Sequence, residues 1–234
     1  MVVMPGDELA LDQGKPVVLG PGVYCDPQTQ TVIPVNAGVP VVKESAKRQT
    51  VYVEYNSKRY IPSVGDLVIG VITSTFSDSY RVSLSSFSNS VSLSYMAFPN
   101  ASKKNRPTLK VGDLVYARVS SAEKELEAEI ECLDSTTGES AGFGLLEGGM
   151  VIDVTLAFAR RLLFNDDFPL LLLLSKRTQF EVAIGVNGKV WIKCDEVKYT
   201  MACFRSIMKC QDQPVSQYKD IIKQEFDSLP KEED

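Results

Sequence analysis

Residues 185–192 read Gly-Val-Asn-Gly-Lys-Val-Trp-Ile, which joins a turn signal to a run of strand-forming residues. Before this stretch, Phe180, Val182 and Ile184 alternate with smaller or polar neighbours, which is the period of a β-strand. Asn-Gly is a preferred pair in two-residue hairpin turns because both residues tolerate positive φ. The stretch therefore predicts a β-hairpin with Asn187-Gly188 as its turn.

Helical patterns surround this hairpin. Upstream, a strand over 150–154 precedes apolar residues at helical spacing over 156–163, and five consecutive leucines follow Pro169. Downstream, apolar residues recur at helical spacing over 197–208 and 215–229. The resulting order is β-α-α-β-β-α with an extra carboxyl-terminal helix. The acidic pairs at the expected helix starts, Asp166-Asp167 and Asp195-Glu196, predict helix capping rather than magnesium binding or acid-base chemistry.

An all-β segment precedes this region. The pentapeptide Val-Gly-Asp-Leu-Val occurs at 64–68 and again at 111–115, each time before a strand-like run. Apolar and polar residues alternate with period two over 80–85, 91–95 and 126–132. Five short, half-buried antiparallel strands of this kind are typical of a closed Greek-key barrel of the OB type.

The first sixty residues combine β-branched runs with many turn-forming pairs, such as Gly20-Pro21-Gly22 and Asp26-Pro27, and predict a small β unit. The whole chain is therefore predicted to be mostly β with an α+β carboxyl-terminal domain. We place an amino-terminal β domain at 1–61, a five-stranded OB barrel at 62–147 and a β-α-α-β-β-α domain with the extra helix at 148–234.

The composition argues against catalysis. The 234 residues include no His, which excludes Ser-His-Asp and Cys-His mechanisms and His-ligated zinc. The five Cys form no Cys-x-x-Cys pair, and no apolar run approaches the length of a membrane helix. We expect a chain that is not an enzyme, requires no metal or cofactor, and has no membrane segment.

Charge is distributed unevenly along the chain. The net charge is −5, yet residues 61–110 contain five basic and two acidic residues, and residues 111–148 contain two basic and nine acidic residues. A basic loop between barrel strands predicts contact with RNA phosphates, and two aromatic rings and one guanidinium group offer planar faces for bases. The candidate RNA-binding residues are Lys103, Lys104, Arg106 and Lys110, together with Arg81, Phe76 and Phe87.

Four motifs in order along the chain carry a resemblance to a known family. They are Gly20-Pro21-Gly22-Val23-Tyr24, Arg59-Tyr60-Ile61-Pro62 leading into Gly65-Asp66, Ser94-Tyr95-Met96-Ala97-Phe98, and Gly185-Val186-Asn187-Gly188. Together with the order of elements, they make the chain similar to the cap subunits of the eukaryotic RNA exosome, which have an amino-terminal β domain, an S1-type OB domain and a KH-type domain.

The resemblance implies a noncatalytic RNA-binding subunit that acts in the processing of ribosomal RNA and in RNA degradation. It implies a subunit seated with other cap subunits on a ring of RNase-PH-like proteins, which stabilises that ring and guides single-stranded RNA to a separate 3′-to-5′ exonuclease. It also implies a location in the nucleus and nucleolus, and in the cytoplasm. S1-type domains often carry an aromatic residue where this chain has Arg81, so the resemblance does not support base stacking at that position.

A KH domain normally grips the RNA backbone with a Gly-x-x-Gly loop between two helices. Here Gly185, Asn187 and Gly188 lie between two predicted strands, and we interpret them as a structural turn. Two alternatives stay open: a pure protein-interaction scaffold without RNA contact, and a free-standing RNA-binding regulator.

Overall fold

The computed structural model describes residues 2–12, 14–57, 59–86, 88–102, 104–123, 125–134, 136–165 and 167–229. The chain divides into two compact units, residues 1–57 and residues 58–234. None of the helices in the described part of the chain combines the length and the apolar character of a membrane span.

The amino-terminal unit contains two small sheets, and the predicted amino-terminal β structure is confirmed. In one sheet, β5 (Gln49–Glu54) pairs in parallel with β1 (Val17–Leu19) and antiparallel with β4 (Val39–Glu44). In the other, β2 (Val23–Cys25) and β3 (Val32–Pro34) form an antiparallel pair. Every second residue of β5 is buried, and Val51 and Val53 are fully so; β5 is thus the central strand of this unit.

The second unit begins with a closed five-stranded barrel, which confirms the predicted OB-type fold. Its strands are β6 (Leu67–Thr75), β7 (Ser79–Ser83), β8 (Val91–Ser94), β9 (Leu114–Ser121) and β10 (Glu129–Glu131). β6 pairs antiparallel with β7 and β9, and β7 pairs antiparallel with β8. β10 pairs antiparallel with β9 but parallel with β8. The expectation of antiparallel pairing throughout is therefore wrong at this closure, because a strand antiparallel to β9 must run in the same direction as β8.

Alternate strand residues fill the barrel, as the period of two predicts. Tyr80 and Val82 of β7 and Val91 and Leu93 of β8 are buried in one cluster. The alternating run 126–132 predicts a longer last strand than the structure has. The chain turns at Glu125 and Leu126, and the Leu126 side chain is 64% exposed, because an alternating pattern alone does not distinguish a strand from the loop that enters it.

The rest of the second unit has the predicted order of elements. A short strand that the sequence analysis did not predict, β11 (Gly144–Leu146), pairs with β9 at the edge of the barrel sheet. It is followed by β12 (Met150–Asp153), α1 (Leu156–Phe164), α2 (Leu170–Ser175), β13 (Glu181–Gly185), β14 (Lys189–Lys193), α3 (Val197–Cys210), a 3-10 turn (Val215–Gln217) and α4 (Tyr218–Asp227). This is the β-α-α-β-β-α order with the extra helix, and we call it the KH-like region.

The KH-like sheet, with strand order β12-β14-β13, is covered on both faces. Residues of one face, including Ile152 and Val190, are buried with side chains of the four helices. On the other face, Ala183 and Trp191 are buried against Ile69, which projects outward from barrel strand β6. The barrel and the KH-like sheet therefore share a packed apolar interface within the second unit.

None of the acidic-pair residues that the structure describes caps a helix as predicted. α2 begins after Pro169 rather than at Asp167, whose backbone N–H donates to Asn165, and Asp166 lies outside the described residues. Glu196 immediately precedes α3, but its carboxylate forms an ion pair with Lys198 at 2.8 Å instead of a cap. A side-chain cap is present at α1, where the Thr155 hydroxyl accepts from the N–H of Phe158 at 3.2 Å.

Gly70 is required by the packing inside the barrel. A Cβ atom at this position would overlap Cγ1 of Val82 and lie 3.1 Å from Cδ2 of Leu84. We predict that Gly70→Ala lowers the free energy of unfolding by about 1–3 kcal/mol through overpacking, measured by urea denaturation. The double variant Gly70→Ala/Val82→Ala relieves the overlap. Its loss of unfolding free energy should therefore be smaller than the sum of the losses in the two single variants. Additive costs would contradict this account.

Candidate nucleic-acid interface

The residues predicted to contact RNA lie on the barrel and on the segment that joins β8 to β9. Phe76 is in the turn between β6 and β7, and Arg81 is at the centre of β7. The joining segment carries Lys104, Arg106 and Lys110. Phe87 and Lys103 lie outside the described residues.

The turn between β6 and β7 presents an aromatic ring beside a guanidinium group. Phe76 is 54% exposed, and Cζ of Arg81 lies 5.8 Å from the centre of its ring, which is within cation–π range. The N–H of Phe76 donates to the carbonyl of Ser79 at 2.8 Å and so closes the turn. The backbone therefore fixes the ring at the surface of the barrel.

Tyr95 connects this turn to the basic segment, a link that the sequence analysis missed. Its hydroxyl donates to the carbonyl of Phe76 at 2.8 Å. Arg106 lies over the Tyr95 ring, with 5.6 Å between Cζ and the ring centre, and its Nη1 donates to the carbonyl of Ser77 at 2.8 Å. Phe76, Arg81, Tyr95 and Arg106 thus form one surface cluster, which we call the aromatic–guanidinium patch.

The buried Tyr80 anchors the segment that carries Arg106. Its hydroxyl donates to the carbonyl of Pro107 at 2.5 Å and accepts from the N–H of Leu109 at 3.1 Å. Its ring meets the Tyr95 ring edge-on, with centroids 4.4 Å apart. A phenol is protonated at neutral pH and can donate, and burial raises the pKa of Tyr80 further in the same direction. An inward-facing core residue therefore positions an outward-facing cation.

The candidate cations of the barrel and of the joining segment differ in their partners. Arg81 is held by Glu127, with 2.7 Å from Nη1 to Oε1 and 3.5 Å from Nη2 to Oε2. The side chains of Lys104 and Lys110 are exposed, and in the described part of the chain they form no salt bridge. An exposed phenyl ring beside a guanidinium group has the chemistry to stack one base and contact the phosphate next to it.

The loop 185–188 is buried against the barrel instead of lying open to a ligand. The side-chain oxygen of Asn187 accepts from the N–H of Ile69 at 3.2 Å, and its nitrogen donates to the carbonyls of Ile69 and Leu84, both at 2.8 Å. The N–H of Val186 donates to the carbonyl of Leu67 at 2.8 Å, and its side chain is buried in the barrel cluster.

The two glycines of this loop have different roles. A Cβ at Gly185 would lie 2.8 Å from the backbone nitrogen of Ile69, so Gly185 permits the close approach of β6. Gly188 has a φ of +79°, the conformation that a turn glycine supplies. Gly185 pairs with Lys189, so the connection contains three residues. The predicted two-residue turn is therefore wrong in length, and of the Asn-Gly pair only Gly188 has positive φ.

Three family models match this chain. Residues 17–59 match the model described as Exosome complex exonuclease Rrp40 N-terminal domain. Residues 60–144 match Exosome complex component RRP40, S1 domain, and residues 149–198 match KH domain. The S1 match contains the aromatic–guanidinium patch, and the KH match contains the loop 185–188.

Curated relatives extend the similarity over nearly the whole chain. Exosome complex component RRP40 of Saccharomyces cerevisiae is 65% identical over 97% of this chain and 96% of its own length. The protein of the same name from Drosophila melanogaster is 39% identical over 88% of this chain and 87% of its own length. Exosome complex component rrp40 of Schizosaccharomyces pombe is 35% identical over 94% of this chain and 93% of its own length.

The three hydrogen bonds of Asn187 give a direct test of the loop. Asn187→Ala leaves two buried carbonyls and one buried N–H without partners, and we predict a loss of about 2–4 kcal/mol in the free energy of unfolding. Asn89→Ala, at an exposed position on the same barrel, should change it by less than about 0.5 kcal/mol. Chemical denaturation measures both. Equal, small effects of the two substitutions would show that the Asn187 contacts do not support the fold.

Proposed function

We propose that this chain, which belongs to the exosome complex component RRP40 family, is a noncatalytic RNA-binding subunit of the exosome cap. In this role it stabilises the complex and guides single-stranded RNA to a separate 3′-to-5′ exonuclease for processing and degradation. The relatives named above are exosome components by name, and the matches to S1 and KH domain models support an RNA-binding role.

The aromatic–guanidinium patch is the observation that supports RNA binding most strongly. The Phe76 ring is exposed beside Arg81, and Arg106 is held over Tyr95 at the same turn. Aromatic stacking tolerates any base, and guanidinium groups contact phosphates independently of sequence. This combination suits a subunit that passes many RNAs along, since it offers little means of reading a particular sequence.

The KH-like region has a packing role in this proposal. In its Gly-x-Asn-Gly loop, the Val186 N–H and the Asn187 side chain form hydrogen bonds with the barrel backbone. These groups are therefore not available to a phosphate. We propose that the remaining surfaces contact RNase-PH-like ring subunits and other cap subunits. We also propose that the protein works in the nucleus and nucleolus, and in the cytoplasm, where such complexes would meet their RNA.

The noncatalytic part of the proposal rests on the absence of His from the sequence and on the spread of the acidic side chains. Within the described residues, no three or more His, Cys, Asp or Glu side chains are arranged to hold a metal ion. The description of the matched amino-terminal domain includes the word exonuclease, and degradation therefore needs a direct assay.

A second candidate function is a scaffold that makes protein contacts only. The net charge of −5 and the ion pair between Arg81 and Glu127 favour it. The two functions differ in one property: removal of the aromatic–guanidinium patch lowers the RNA crosslinking of an RNA-binding subunit, whereas a scaffold shows no crosslinking that depends on the patch.

We predict that Phe76→Ala weakens binding of single-stranded RNA by about 1–3 kcal/mol, because one stacked base is lost. Arg106→Ala should weaken binding and reduce its dependence on salt by about 0.7 in the slope of log affinity against log salt. Fluorescence anisotropy with the full chain and a labelled oligouridylate measures both. Lys219→Ala, on the exposed side of α4, is the control. Absence of measurable binding by the unmodified chain would favour the scaffold, and unchanged affinity in both patch variants, with the proteins folded, would place the RNA site outside the patch.

We further predict that the purified chain does not shorten a 5′-labelled single-stranded RNA in the presence of magnesium or manganese. A time course resolved on a denaturing gel checks this. Degradation that co-purifies with the chain and disappears when one Asp or Glu is replaced would contradict the noncatalytic assignment.

A further inference from the structure

The guanidinium group of Arg81 is shared between the aromatic–guanidinium patch and an acidic side chain from another part of the barrel. Glu127 holds it through two oxygen–nitrogen contacts, while its Cζ lies 5.8 Å from the centre of the Phe76 ring. The Arg81 and Glu127 side chains are 46% and 39% exposed. The ion pair therefore lies at the surface, where an RNA phosphate can compete for Arg81.

The position of Glu127 is set by the barrel framework. Arg81 pairs with Ser92 on β8, and Ser92 pairs with Glu129 on β10, which places the three residues in one row. The carbonyl of Ala128 accepts from the N–H of Ser92 at 3.0 Å, and the Ala128 side chain packs on the barrel core. Ala128 is directed inward, and Glu127, which precedes it, contacts Arg81 on the outer face of the barrel.

Arg106, the other guanidinium group of the patch, lacks such a partner. It donates to a neutral carbonyl, that of Ser77, and forms no salt bridge within the described residues. The patch thus contains one cation whose charge is compensated and one whose charge is not.

We propose that Glu127 sets the affinity of this patch for single-stranded RNA. It neutralises Arg81 in the free chain, so that Arg106 is the uncompensated cation of the patch and Arg81 contributes only when its ion pair opens. This inference rests on the proposed function and adds a residue that weakens RNA binding. Such a residue limits how long an RNA stays at one position, which suits a subunit that passes RNA onward.

The expected change in RNA affinity follows from the competition between Glu127 and a phosphate for Arg81. An exposed ion pair of this kind shifts an equilibrium by up to about fivefold. Its removal should therefore strengthen RNA binding by about two- to fivefold at low salt. A newly available Arg81 also neutralises one more phosphate, so the slope of log affinity against log salt should become steeper by about 0.7.

The experiment compares Glu127→Gln with Glu125→Gln in the full chain, using fluorescence anisotropy of a labelled oligouridylate over a series of KCl concentrations. Glu125 lies in the same loop and forms no salt bridge in the described part of the chain, so both variants remove one negative charge. We expect the gain in affinity and the steeper slope in Glu127→Gln, and a smaller gain without the change in slope in Glu125→Gln. Equal effects would overturn the inference, because they would reflect net charge alone.

The Arg81→Ala background supplies the second test. Glu127→Gln should add nothing when Arg81 is absent, and a gain that persists there would overturn the inference. If the unmodified chain and Arg106→Ala both fail to bind the oligouridylate at low salt, the proposed function fails and the inference with it. If the chain binds in an Arg106-dependent way and Glu127→Gln has no effect, only the inference fails.

Discussion

The side-chain amide of Asn187 forms three hydrogen bonds with the backbone of Ile69 and Leu84, and the arrangement of the second unit depends on them. They hold the β13–β14 connection on two neighbouring barrel segments, and the outer face of the KH-like sheet then packs on β6 around Ile69. A buried amide with all these partners is stabilising, whereas the same groups without partners carry a full desolvation penalty. The loop therefore favours one packing of barrel and sheet strongly over any looser one.

The contact between the loop 185–188 and the barrel, which we call the joint, also determines where RNA contact is possible. A KH loop that grips a phosphate needs free backbone amides, and here the Val186 N–H donates to Leu67 of the barrel. The available chemistry lies instead on the turn between β6 and β7, where Phe76 is exposed beside Arg81 and Arg106 lies over Tyr95. The core supports that surface through Tyr80, whose hydroxyl fixes the segment that carries Arg106.

The structural elements that depend on local periodicity were predicted from the sequence. The barrel, the β-α-α-β-β-α order and the position of the hairpin follow from runs of period two and from helical spacing. The three-residue length of the connection at Asn187 was not predicted, because tertiary hydrogen bonds to the barrel, rather than the preference of Asn-Gly for tight turns, determine its shape. β11 was missed because a three-residue strand between glycines leaves almost no pattern.

In the candidate interface, too, local sequence predicted some residues, whereas the roles of others depend on tertiary contacts. Phe76, Arg81 and Arg106 were identified from residue type and charge, and the predictions for Phe87 and Lys103 fall outside the described residues. The roles of Tyr95 and Glu127 depend on contacts between residues that are distant in sequence: Tyr95 with the turn at Phe76, and Glu127 with Arg81. No local pattern encodes such contacts, and the alternation over 126–132 predicted only that the polar residues of this run face outward.

The most direct test of the joint is Gly188→Val, with thermal unfolding and RNA affinity measured on the same preparation. Gly188 has a φ of +79°, and a Cβ would lie 2.6 Å from the carbonyl oxygen of Val154, so any larger residue is strained both in its backbone and against a neighbour. If the loop is a joint, the unfolding midpoint falls by about 2–4 °C for each kcal/mol lost, and RNA affinity, measured well below that midpoint, is unchanged. An unchanged midpoint with loss of RNA binding would contradict the account and identify the loop as an RNA clamp.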